Sequence, residues 1–206
     1  MAPAVLMGLL YGGLGNLLAD LSLYGFDIGR LRGGLLSARG LAVTFWGLAF
    51  VVVAWHRAEG ELASLVRHLA LGLPLLGITA ADLEARLIPN RLVLGGVAVG
   101  LGFGAAEGRL IGTAAGALAG LGLFGLAYLV GNRLYPGGLG AGDVKLAGLI
   151  GLELGFPAGL SALFLGVVLG GVGALVLLAA GVRRLKDPIP YGPFLCAGAA
   201  VTLLTT

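Results

Sequence analysis

Eight apolar runs, at residues 2–19, 41–55, 67–82, 91–106, 110–131, 143–156, 158–181 and 190–205, alternate with short polar segments along this chain. Each run predicts one helix. Several fall short of the roughly 20 residues that a straight crossing of a bilayer needs, so they must extend into flanking polar residues, tilt, or sit where the bilayer is thin. The longest polar stretches, residues 20–40 and 56–68, are too short to build a core of their own. The expectation is one membrane-embedded domain over residues 1–206, an all-α polytopic integral membrane protein of about eight transmembrane helices.

Glycine is part of the pattern. The fifth run carries Gly112, Gly116 and Gly120 at four-residue spacing and the seventh carries Gly166 and Gly170, positions where small residues let neighbouring helices approach closely.

Composition agrees with the pattern: 58% of residues are hydrophobic and 11% charged, against roughly 25% charged in a soluble domain. The net charge of +3 is scattered over loops and gives no reason to invoke nucleic acid. The single cysteine, Cys196, lies in the last apolar run, which excludes an internal disulfide and a cysteine-only zinc site. No basic n-region precedes the first run, so it reads as a retained spanning helix.

Ten of the thirteen Lys and Arg residues fall in one set of alternate loops: Arg30, Arg32, Arg39, Arg86, Arg91, Arg133, Lys145, Arg183, Arg184 and Lys186. The other set holds Arg57, Arg67 and Arg109. The positive-inside rule makes the first set cytoplasmic and turns both termini outward.

Most acids read as solvated loop or helix-end charges: Asp20, Asp27, Glu59, Glu61, Glu107, Glu153 and Asp187. Asp82 and Asp143 differ. Asp82 closes the third run and Asp143 opens the sixth, with two complete crossings between them. Both therefore lie on the same face, and the cation count makes that face cytoplasmic. An ionisable group at a membrane boundary costs free energy, so it needs a reason to be there. Asp143 could cap its helix, whereas an acid at the C-terminus of a helix, as Asp82 is, opposes the dipole. A pair of carboxylates sharing one proton covers both, one taking a proton from water while the other polarises a carbonyl. Gly140 and Gly142 beside Asp143 suit a tight turn and a close substrate backbone.

Four segments in order, "GGLGNLLADL" at 12–21, "DLEARLIPN" at 82–90, "GGLGAGDVKLAGLIG" at 137–151 and "PIPYGPFLCAGA" at 188–199, resemble the motifs of type IV prepilin peptidases. The resemblance spans essentially the whole chain. It implies a membrane aspartyl protease of the Gly-x-Gly-Asp type that removes the leader from prepilin or pseudopilin precursors, multi-pass in the inner membrane with its active site facing the cytoplasm. The implied catalytic pair is Asp82 and Asp143, with Gly140, Gly142 and Lys145 shaping the site or binding substrate, and cleavage needs no cofactor. Longer members of that family carry paired Cys-x-x-Cys motifs after the first helix, tied to zinc and to N-methylation. Residues 20–40 contain no cysteine, so neither zinc nor methyl transfer is expected.

Lys145 fits two roles equally, pairing with a substrate acid or tuning the two aspartates on one side, and snorkelling to headgroups on the other. Pro89 and Asn90 read as the end of one crossing and the cap of the next helix, and "PIPYGPF" as the segment shaping the start of the last helix. His56 and His68 read as no part of a ligand set. Two other functions compete: a proton-coupled transporter, which would place acids at midplane within repeats, and a non-catalytic membrane protein of pilus or secretion assembly.

Overall fold

The computed structural model describes residues 2–25, 37–134, 139–182 and 189–206, and among them the only regular elements are helices. The helices are α1 (Ala2–Tyr24), α2 (Ala38–Arg57), α3 (Leu62–Ala85), α4 (Asn90–Ala106), α5 (Leu110–Leu134), α6 (Ala141–Leu154), α7 (Ala158–Ala179) and α8 (Gly192–Thr205). Each apolar run became one of them. The third run grew at both ends, into the polar residues from Leu62 and up to Ala85. The sixth and eighth helices are 14 residues long, about 21 Å of rise. Five helices, α1, α2, α3, α5 and α7, are long and apolar enough to cross a membrane.

The surface carries the membrane signature. Ile111, Phe45 and Phe164 are 89%, 73% and 72% exposed, which in water would be an aggregation liability and in lipid is ordinary solvation. This is a polytopic membrane protein.

Two helices are wrapped by the rest. α3 packs against α1, α2, α4 and α8, and α6 against α4, α5, α7 and α8. Every residue from Pro74 to Asp82 in α3 is buried, as is every residue from Leu146 to Leu154 in α6. Small residues make the second arrangement possible. A Cβ on Gly116 of α5 would collide with the carbonyl oxygen of Gly151 in α6, and one on Gly120 with that of Ala147. The same holds between α7 and α8, where a Cβ on Gly166 would stand 2.8 Å from the Cα of Leu195. Gly112, on the same spacing, faces open space.

Two of the acids read as solvated are instead buried. Asp20 is 4% exposed because α1 runs past the end of its apolar run and brings it against Arg39 of α2, 2.8 Å away. Arg39 also reaches Glu84 of α3 at 3.6 Å, tying three helices at one end of the bundle. Glu153 is 4% exposed between α4 and α6, its Oε1 without a hydrogen-bond partner. The sequence placed it at the end of a run, but on the last turn of α6 it faces Gly96 and Gly100 of α4, and exposure begins only at Phe156. Glu59, Glu61 and Glu107 are exposed as expected, Glu107 pairing with Arg67 at 3.1 Å and with Arg109 at the opposite end. Asp27, Asp187, Arg30, Arg32, Arg183, Arg184 and Lys186 lie outside the described residues.

Candidate active site

The segment after α3 has a defined local cause. Arg86 ends the helix in the left-handed region, at φ 51°, its N–H donating to the carbonyl of Asp82. The chain leaves the helix there through exposed Leu87 and buried Ile88, and Pro89, with its fixed φ, opens α4. Asp82 itself lies inside α3, on its last turn but one, 6% exposed. Opposite, Gly140 precedes α6 in extended conformation and its N–H donates to Oδ2 of Asp143 at 3.2 Å. A Cβ on Gly140 would stand 3.1 Å from that same oxygen, and one on Gly142 3.3 Å from Ile88. Both positions thus favour the smallest residue, one for its own carboxylate and the other for the facing loop.

These segments enclose a cavity of about 370 Å³ lined by Asp82, Arg86, Leu87, Ile88, Asn90, Gly140, Gly142, Asp143 and Lys145. All nine residues come from 82–90 or 140–145. The structure therefore gathers every site residue picked from the sequence, Asp82, Asp143, Gly140, Gly142 and Lys145, around one opening at one end of the bundle. Among the described residues no Lys or Arg lies within salt-bridge distance of either aspartate. Lys145 donates instead to Oδ1 of Asn90 at 2.9 Å, joining the turn that carries Asp143 to the first residue of α4. Pro89, not Asn90, occupies the N-cap, and no side chain caps α4.

The third segment contributes what sequence reasoning missed. The N–H of Gly192, first residue of α8, donates to Oδ2 of Asp82 at 2.9 Å. Tyr191 beside it is half-buried, and burial together with the charge of Asp143 pushes its hydroxyl above the ordinary range. The available signal was the Gly-Pro pair at the start of a helix, which marks an N–H freed from the helix ladder. His68, away from this end, has its two ring nitrogens against the carbonyls of Ser64 and Leu203, and its single N–H donates to one of them. Among the described residues no three His, Cys, Asp or Glu side chains gather to hold a metal ion.

The Type IV leader peptidase family matches residues 69–175, which include both aspartates and most of the two central helices. The chain belongs to that family. Among curated relatives it is 34% identical over 137 residues to a prepilin leader peptidase/N-methyltransferase of Burkholderia pseudomallei, covering 63% of this chain and 43% of the relative. It is 32% identical over 164 residues to the protein of that name from Stutzerimonas stutzeri, covering 77% and 55%. With the one from Aeromonas salmonicida the figures are 33% over 184 residues, 85% and 62%. The matches thus span between about two fifths and three fifths of these relatives' own length. No solved structure matches the chain.

Proposed function

We propose that this chain is a membrane aspartyl endopeptidase that cleaves the leader peptide from prepilin or pseudopilin precursors at the cytoplasmic face of the inner membrane. The observation carrying this reading is that two carboxylates from helices far apart in sequence face one cavity whose lining is made wholly of the two aspartate motifs. Membership in the leader peptidase family supplies the substrate class.

In this reading the two aspartates share one proton. The ionised member accepts a proton from a water, whose oxygen attacks the scissile carbonyl carbon. The protonated member donates to the carbonyl oxygen, giving a neutral tetrahedral diol. Collapse of the diol breaks the C–N bond while one carboxyl proton passes to the leaving nitrogen and the other, ionised carboxylate takes the proton of a diol hydroxyl. Gly140 and Gly142 leave room for the substrate backbone, and the Lys145–Asn90 bond holds the Asp143 turn against the start of α4. The cytoplasmic placement rests on the bias of Lys and Arg toward the aspartate end. Methyl transfer is not assigned to this chain.

Co-expression with candidate precursors from the same genome tests the reading. Wild type is expected to shorten the precursor on a gel, while Asp82→Asn and Asp143→Asn insert normally and leave it whole. The mature product is expected to carry an unmethylated N-terminal amine by mass spectrometry. Full processing by either variant refutes the dyad.

A further inference from the structure

The first turn of a helix leaves N–H groups without partners in the ladder, and each has to be accounted for. In α8 the account closes. Pro193 has no N–H, and those of Phe194 and Leu195 donate to the carbonyl of Tyr191 at 3.1 and 3.3 Å. Gly192 alone in that turn has its N–H directed out of the helix, and it meets Oδ2 of Asp82, 110 residues away in sequence, at 2.9 Å. The contact is buried, where a hydrogen bond to a carboxylate is stronger than one in water. The position also admits no larger residue. A Cβ on Gly192 would stand 2.8 Å from Oδ2, 3.1 Å from Cγ and 3.3 Å from Cβ of Asp82.

We propose that Gly192 is a positioning residue for cleavage, its backbone N–H fixing the Asp82 carboxylate at the cavity and its missing side chain leaving that carboxylate room. This rests on Asp82 being half of the catalytic pair. The neighbours of 192 hold the donor in place: Pro193 sets the helix start, and the ring of Tyr191 packs so closely on α7 that a Cβ on Gly170 would stand 2.6 Å from it. The proline-rich segment is thus a third part of the site, although it does not line the cavity itself.

The test removes the N–H, changing besides it only the Tyr191 carbonyl, which becomes a weaker ester acceptor for Phe194 and Leu195. Cell-free synthesis of the full chain into nanodiscs, with glycolic acid delivered at position 192, replaces the amide by an ester and keeps the glycine geometry. Cleavage of a prepilin peptide is then followed as kcat and KM beside thermal melting. The expected result is a kcat lower by about ten- to a hundredfold, with KM as in wild type and a melting temperature that still leaves the chain fully folded at the assay temperature. Gly192→Ala, which keeps the N–H but crowds Oδ2, is expected to lose kcat in the same way. A wild-type kcat in the ester chain, a rise in KM alone, or a loss of kcat that follows unfolding at the assay temperature would each overturn the proposal. Asp82→Asn in the same assay separates the two readings: if it cleaves, the dyad itself is wrong, and if it is inactive while the ester chain is unaffected, only the role of Gly192 falls.

Discussion

Replacing Gly116 by alanine is expected to push α5 away from α6 and, through α6, to move Asp143. A Cβ at 116 would collide with the carbonyl oxygen of Gly151 and stand 2.7 and 2.9 Å from the C and Cα atoms of Gly155. Carbon contacts settle near 3.5 Å or beyond, so the helices must part by roughly 1 Å. No rotamer change can relieve the overlap, because every obstructing atom belongs to the backbone. Overpacking of this kind costs about 1–3 kcal/mol, offset by up to about 1 kcal/mol from alanine's better helix propensity.

Gly112 is the internal control. It sits one turn earlier on the same helix, yet a Cβ there meets nothing within 4 Å. Gly112→Ala should therefore melt at the wild-type temperature or slightly above it, while Gly116→Ala melts lower. Because a misplacement of about 1 Å can cost on the order of a hundredfold in rate, precursor cleavage by Gly116→Ala should fall further than its stability does. The measurements are thermal melting in detergent and cleavage at a temperature where both variants are folded. Equal melting of the two variants would refute the claim that backbone contact at 116, and not glycine spacing as such, sets the approach of α6.

Arg39→Leu should destabilise the protein by about 3–5 kcal/mol, because it leaves Asp20 buried without its partner; the double variant with Asp20→Leu should recover much of the loss in thermal melting, and no recovery would sever the two residues. Reporters fused after residues 38 and 89 should be active in the cytoplasm and those after 60 and 108 on the outer side, and the reversed pattern would place the aspartates on the wrong face.

Helix positions were legible because a lipid-facing helix and a core helix are both apolar, so the polar gaps alone mark the turns: the run at 110–131 became Leu110–Leu134. The aspartates stood out because their boundary positions carry a cost that the surrounding glycine pattern helped to explain. What stayed hidden depends on the direction a residue faces. Gly112 and Gly116 look alike in sequence and differ only in what lies opposite them. Asp20 looked solvated because Arg39, its partner, starts another helix. Lys145 had two equal readings until the fold brought Asn90 to it. The Gly-Pro pair marked a free N–H at 192 but not its target, since that partner is contributed by a helix from the other half of the chain.

The arrangement also answers the electrostatic difficulty of Asp82. At the C-terminal end of α3 it stands where the dipole of its own helix is unfavourable to an anion. A Lys or Arg pairing would offset that and, in the proposed dyad, would also occupy the oxygens needed for proton transfer. The protein uses helix N-termini instead: α8 aims the N–H of Gly192 at Asp82, and Asp143 lies in the first turn of α6, accepting from Gly140. Partial positive charge of this kind is fixed in the backbone and occupies a single oxygen of each carboxylate. In the proposed dyad the other oxygen, Oδ1 in both residues, is the one left for water and the shared proton. Three helix ends converging at one end of the bundle therefore supply both the geometry and the charge balance of the pair, and the short α6 and α8 matter more for where they begin than for how far they span.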